Sequence, residues 1–230
     1  MKNKDYIHKE FPKTCDPKDF FGQIKRTVNG KPISRKEINM IVQAIKDGLQ
    51  LNQNDILVDI GCGNGALSEL LFSNIQSYLG VDFSEFLINV AKENFEKENY
   101  IFELGEANAY LENTQINNKV TKGLCYGVFS YFEEEKAINI LKLLKVKYPS
   151  LSHFYIGNLP DKDRASNFYY DHIDYTDLLE DNESSIGIWR NKKELTDLFN
   201  TNGWNVDFFN MPKSFYSSHY RFDVVLTRKK

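Results

Sequence analysis

Short apolar runs alternate with longer segments of helical period along most of this chain. Ile38, Ile41, Ile45 and Leu49 recur at helical spacing behind Ser34 and Glu37, which fit a reciprocal N-terminal cap, so the pattern predicts a helix starting at Ser34. Buried strands follow at Ile56–Ile60, Tyr78–Val81, Tyr100–Leu104, Gly123–Tyr126 and His153–Gly157, with two more at Trp204–Phe209 and Phe222–Thr227. Helices are expected between them: about Ala66 to Ser73, Ser84–Phe95 with Ser84 as its cap, Glu133–Lys147 with Ala137, Ile140, Leu141 and Leu144 on one face, and Lys192–Asn200. Strands alternating with helices give βαβ units, and hence an α/β fold with a mostly parallel sheet covered by helices on both faces. Ligands of such sheets bind beyond the carboxyl ends of the strands, where strand order reverses. Residues 1–33 are punctuated by Pro12, Pro17, Gly22, Gly30 and Pro32 and show no such pattern.

Composition adds mainly exclusions. The 230 residues suit one substantial domain, 1–230, and the net charge of −3 comes from 29 basic and 32 acidic residues of interspersed sign, so no basic stripe argues for nucleic acid. No apolar run approaches the length of a membrane span, and the polar start Met1 to Glu10 does not resemble a signal peptide. Cys15, Cys62 and Cys125 are odd in number, widely spaced and without zinc spacing to the four histidines, which favours a reducing, cytoplasmic setting and no metal.

The loop after the first strand is the most informative stretch. In Leu57-Val58-Asp59-Ile60-Gly61-Cys62-Gly63-Asn64-Gly65 three alternating glycines let the backbone turn sharply and bring N–H groups near a ligand, with the next helix offering its positive end. Gly61-x-Gly63-x-x-Ala66 would pass a loose dinucleotide fingerprint, which keeps an NAD-dependent oxidoreductase open. Asp59 opposes that reading, because a carboxylate facing a pyrophosphate would repel it.

The stretch from Val58 to Gly65 resembles the first motif of class I S-adenosylmethionine (SAM)-dependent methyltransferases. Gly80-Val81-Asp82-Phe83-Ser84 is similar to the second motif, and Gly105-Glu106-Ala107-Asn108 to the Gly-Asp-Ala segment, with Glu106 where the family usually has Asp. Cys125-Tyr126-Gly127-Val128-Phe129-Ser130-Tyr131-Phe132 looks like the segment beneath the sulfonium. Roughly residues 36–228 are covered by the likeness, since Lys193–Phe199 and Gly203-Trp204 also match the approach to the final hairpin.

The resemblance implies a Rossmann-like, doubly wound sheet of seven strands with the last antiparallel. It implies SAM as cofactor, held by Gly61, Cys62 and Gly63, with Asp59 at the amino group, Asp82 and Phe83 at the ribose, Glu106 and Ala107 along the adenine, and Tyr126 below the sulfonium. Residues 34–150 then form the cofactor half and 151–230 the acceptor half, with an insertion at about 159–190.

Methyl transfer needs the acceptor atom in line with the methyl and, for a hydroxyl, a group to take its proton. Candidates for that base are Asp161, Asp163 and His172, with His219 open and His153 expected to pack. Arg164, Tyr131, Gln23 and Arg26 are candidate substrate contacts, the last two on an arm able to fold over the site. Gly157-Asn158-Leu159-Pro160-Asp161 resembles a Gly-Asp-Ile-Pro-Asp-like segment of methyltransferases from bacterial polysaccharide gene clusters. The Asn/Asp-Pro-Pro-aromatic motif of nucleic-acid amino-methyltransferases is absent, and no carboxylate cluster of the catechol-enzyme type is evident. The expected acceptor is a small molecule or a carrier-linked sugar, O-methylated in preference to N-methylated; a non-catalytic SAM-binding module is the remaining alternative.

Overall fold

In the computed structural model, which describes residues 6–28, 30–169 and 174–229, a seven-stranded sheet forms the centre. Its strands are β1 (Ile56–Ile60), β2 (Ser77–Asp82), β3 (Tyr100–Leu104), β4 (Lys122–Tyr126), β5 (His153–Pro160), β6 (Trp204–Phe209) and β7 (Arg221–Arg228), in the order β3-β2-β1-β4-β5-β7-β6. The first five run parallel, and β7 pairs antiparallel with both β5 and β6. Strand order reverses between β1 and β4, so the fold has its switch point at the loops that follow them.

Five longer helices cover the sheet: α1 (Arg35–Leu49), α2 (Glu85–Phe95), α3 (Ala107–Asn113), α4 (Glu134–Lys147) and α5 (Lys192–Thr201). The cap expected at Ser34 is complete, with Ser34 Oγ accepting from Glu37 N and the Glu37 carboxylate accepting from Ser34 N. Period-two alternation divides the strands between two cores. Val58, Cys125, Ile156 and Leu226 meet α4 and α5 on one face. Leu57, Leu124, Tyr155 and Val225 meet α1 on the other.

Four local expectations are corrected. The stretch after Gly65 is a 3₁₀ helix, Ser68–Asn74, and not an α-helix. Few residues separate Gly65 from β2, and Ser68 is drawn to Asp59 while Phe72 stacks on Tyr100, which favours the tighter turn. Ser84 precedes α2, but its hydroxyl makes no cap bond. β5 continues three residues past Gly157, with an irregularity between Ile156 and Leu159 where Asn158 takes φ +65°. The arm, irregular by sequence, contains three helical turns, Tyr6–Lys9, the 3₁₀ turn Phe11–Thr14 and Phe20–Gln23, and a two-residue ladder pairing Thr27–Val28 with Lys31–Pro32.

Candidate active site

The carboxyl ends of β1, β2 and β3 open into a cleft of about 1440 Å³, closed on its outer side by the arm and by residues 181–185. Gly61, Asp82, Phe83, Glu106 and Ala107 line it, as does Tyr131. Asp82 ends β2 and is 7% exposed. One of its oxygens accepts from Gly63 N and the other from Ser84 N, each at 2.9 Å, so the second motif organises the first. Burial pushes its carboxyl above the usual range against these amides. Four lone-pair sites less two occupied leave acceptors for a ligand's hydroxyls. Beside it the Ser84 hydroxyl is buried without a partner, a second polar group in the same wall.

Several sequence-predicted residues lie elsewhere than expected. The amides of Gly61 and Cys62 both donate to the carbonyl of Val81, at 2.8 and 3.1 Å, and that of Gly63 donates to Asp82, so these N–H groups do not point at a ligand. The glycines serve close approach of chain to chain: at Gly61, with φ +79°, an added Cβ would stand 2.6 Å from Val128. The 3₁₀ helix after the loop is too short to present a strong positive end. Cys62 turns into the α1-side core, and burial pushes its thiol far up. Tyr126 is likewise inside that core, its carbonyl and ring both engaged by Arg26.

Asp59 does not reach the cleft. Alternation along β1 turns it to the α1 side, where its Oδ2 accepts from Ser68 Oγ at 2.6 Å and Tyr78 OH at 2.9 Å. Burial carries its carboxyl up to about 6. The ordinary value of an aspartate is about 3.9, so the folded chain holds this proton more tightly than the unfolded one. The stabilisation is therefore complete below about pH 4 and lost as pH rises through 6, a change on the order of 2–3 kcal/mol. Asp59→Asn, which keeps an acceptor and removes the charge, is expected to gain stability over the parent between pH 5 and pH 8 in urea denaturation. Parallel curves for the two proteins would assign the pH dependence to other groups.

Glu106 lines the cleft, but its Oε2 caps α3 by accepting from Asn108 N and Ala109 N, and its other oxygen lies 3.7 Å from Lys136. That occupies the carboxylate expected at the adenine. Phe83 is half-buried beneath Lys9, whose ammonium sits 4.7 Å from the ring centroid. Tyr131 donates to the carbonyl of Ser185, and its ring meets His8 edge-on at 4.5 Å.

Of the proposed bases, Asp161 is 4% exposed and bound to Arg164 at 2.6 Å, while Arg164 also donates to the carbonyls of Ser218 and Arg221. The pair ties the segment after β5 to the start of β7, and neither residue lines the cleft. Asp163 is exposed outside it. His172 lies outside the described residues. His153 is half-buried beside Lys122 at the opposite end of the sheet, and His219 packs on Tyr220. Gln23 is buried, its Oε1 accepting from Asn64. Sequence reasoning missed the cleft residues His8, Glu133 and Asp181–Ser185: His8 and Asp181–Ser185 lie in segments without a periodic signal, and Glu133 was read only as the start of a helix. Among the described residues no group of three or more His, Cys, Asp or Glu is placed to hold a metal.

Fold order, the acid at the end of β2 and the glycine turn at the switch point define a Rossmann-like class I methyltransferase domain. The chain belongs to the methyltransferase-domain family that matches residues 51–203. It is 29% identical over 123 residues to a probable cobalt-precorrin-6B C(15)-methyltransferase of Methanocaldococcus jannaschii, covering 51% of this chain and 57% of that protein. It is 38% identical over 84 residues to ribosomal RNA small subunit methyltransferase A of Prochlorococcus marinus, covering 36% and 30% respectively. The chain thus spans less than two thirds of either relative. The magnesium protoporphyrin IX methyltransferase of Synechocystis, solved with bound SAM, superposes with a TM-score of 0.59 at 16% identity, over 98% of this chain and 95% of that one. The family assignment displaces the oxidoreductase reading.

Proposed function

We propose that this chain transfers a methyl group from SAM to a hydroxyl of a small-molecule or carrier-linked sugar. The observation that carries the proposal is one continuous cleft running from Asp82, at the end of β2, past Gly61 to a polar wall of Tyr131, Glu133 and Asp181–Ser185. The free acceptors of Asp82 fit a ribose diol, and the half-buried Phe83 and exposed Leu104 offer apolar surface to an adenine. When bound, SAM supplies an electrophilic methyl whose departure discharges the sulfonium.

Around it the chain holds, orients and excludes. Seven carboxylates and three lysines line the cleft, and two of those lysines lie against Glu10 and Glu106. That excess attracts a cationic cofactor and repels a phosphodiester backbone, which supports a small acceptor over RNA. Hydroxyls, amides and carboxylates of the outer wall suit a sugar, as does the likeness of Gly157–Asp161 to polysaccharide-cluster enzymes. The acceptor's proton passes to a carboxylate of that wall, Glu133 or Asp181, in place of the buried Asp161. Methyl-labelled SAM offered with nucleotide-linked sugars, ribosomal RNA and a tetrapyrrole is expected to label the sugar fraction. Label in the RNA or the tetrapyrrole would overturn the acceptor assignment. Absence of S-adenosylhomocysteine binding would overturn the reaction itself.

A further inference from the structure

Residues 162–190, between β5 and α5, build a small core of their own beside the outer wall of the cleft. Phe168, Tyr169, Tyr175 and Ile186 pack around the buried Trp189 and Tyr220, apart from the two cores of the sheet. The rings fix one another. Tyr169 stacks on Tyr175 with centroids 4.6 Å apart and planes 11° apart, meets Phe168 edge-on at 5.0 Å and lies 5.6 Å from Trp189. The Ala165 carbonyl accepts from the amides of both Phe168 and Tyr169, which sets the backbone under them. Among the described residues of this core, only Tyr169 also lines the cleft. Its ring is half-buried, held by its aromatic neighbours and open to the cleft on the remaining side.

Its surroundings define what that ring can meet. Leu178 lines the cleft as well, and so do Asp181 and Glu133. Burial pushes the Tyr169 phenol above its ordinary value and the charge of Asp181 adds to the shift, so ring and carboxylate stand together. Asp181 accepts from Glu183 N at 2.8 Å, and Glu133 from Asn182 Nδ2 at 2.9 Å. Carboxylates with lone pairs to spare call for a ligand that brings several donors. The wall is also held in place. Ser130 Oγ donates to the Ile186 carbonyl at 2.9 Å, Tyr131 OH to the Ser185 carbonyl at 2.9 Å, and Ile188 N to the Ser130 carbonyl at 2.7 Å. Gly187, at φ +78°, permits this approach, since an added Cβ would stand 2.6 Å from the Ser130 carbonyl oxygen. Val128 and Tyr131, either side of Ser130, line the cleft beside Gly61, so the wall is fixed relative to the switch point.

We propose that Tyr169 is the platform on which a pyranose ring of the acceptor lies, an assignment that rests on the sugar reading above. The apolar C–H face of the sugar covers the phenol ring, and hydroxyls on its rim donate to Asp181 and Glu133. A tyrosine fixed by its neighbours offers a large contact area at little entropic cost. An aromatic surface beside a few placed polar groups is also the usual make-up of a small-ligand site. A flat aromatic acceptor would match the ring but leave both carboxylates without donors, and an acceptor with acidic side chains would be repelled by them.

The test is kinetic, with the full chain, methyl-labelled SAM and whichever of a panel of nucleotide-linked hexoses the parent labels most. Tyr169→Leu keeps apolar bulk and removes the ring. It is expected to raise the KM for the hexose about tenfold, with kcat within about threefold and S-adenosylhomocysteine affinity within about twofold of the parent. Tyr169→Phe restores the ring without its hydroxyl and is expected to recover most of the lost KM. An unchanged KM in the leucine variant would overturn the proposal. So would equal weakening of S-adenosylhomocysteine, which would make Tyr169 a packing residue, or a Phe variant no better than Leu, which would assign the contact to the hydroxyl. In each of these cases the parent still labels sugar and the acceptor reading stands. If the parent labels no sugar, the acceptor reading falls and takes this proposal with it.

Discussion

Alanine at Asp82 is expected to weaken S-adenosylhomocysteine about a hundredfold or more in calorimetric titration. Two losses add. The carboxylate's free acceptors, which fit the ribose hydroxyls, disappear, and hydrogen bonds to a charged group contribute roughly 1.5–3 kcal/mol each. The amides of Gly63 and Ser84 also lose their acceptor, so the glycine loop and the start of α2 are freed together. Asp82→Asn separates the two effects, since it keeps the shape and one acceptor but presents an amide N–H to one of those backbone donors. It is expected to retain the fold and bind more weakly than the parent. Affinity within about threefold of the parent in the alanine variant would remove Asp82 from the cofactor site.

Valine at Gly61 is expected to cost roughly 4 kcal/mol of stability and to abolish cofactor binding. Gly61 has φ +79°, where a β-branched residue is strained, and its Cβ would stand 2.6 Å from Val128. Relief requires Val128 to move, and Val128 lines the cleft. Gly30 is the control: its φ is +75° but nothing lies within 4 Å of an added Cβ. Gly30→Val should show the conformational cost alone, roughly 1–2 kcal/mol. A thermal melt resolves the two, because about 2–3 kcal/mol separates them by roughly 4–12 °C in a chain of this size. Equal melting temperatures would mean that the contact with Val128 is readily relieved.

The strands and most helices were legible because burial on both faces gives continuous apolar runs, and a single buried stripe gives a helical period. Ile56–Ile60 and Tyr100–Leu104 were placed to the residue. The segment after Gly65 was misjudged because its apolar residues suit either kind of turn, and contacts with Asp59 and Tyr100 chose between them. The short helix after Glu106 escaped notice because its cap is a glutamate reaching forward two and three residues, a bond outside the usual Ser, Thr, Asp or Asn pattern.

The same division runs through the site. Asp82 was singled out by the resemblance of Gly80–Ser84 to the second motif, and the end of β2 sets it in the wall of the cleft. Asp59 and Asp161 were chosen for their type and spacing, and both turned out to be committed elsewhere: one to Ser68 and Tyr78, the other to Arg164.

By itself, then, the sequence determined the order of elements and the parallel sheet with its switch point, since these follow from periodicity along one chain, while the roles of the glycine loop and its acidic partner were implied by the resemblance of their motifs to those of the family. Which carboxylates face the crevice, which are absorbed by hydroxyls and guanidinium groups, and where the arm sets Arg26 were decided only by the tertiary structure. The availability of a charged group depends on partners brought together from distant parts of the chain, and no local pattern records them.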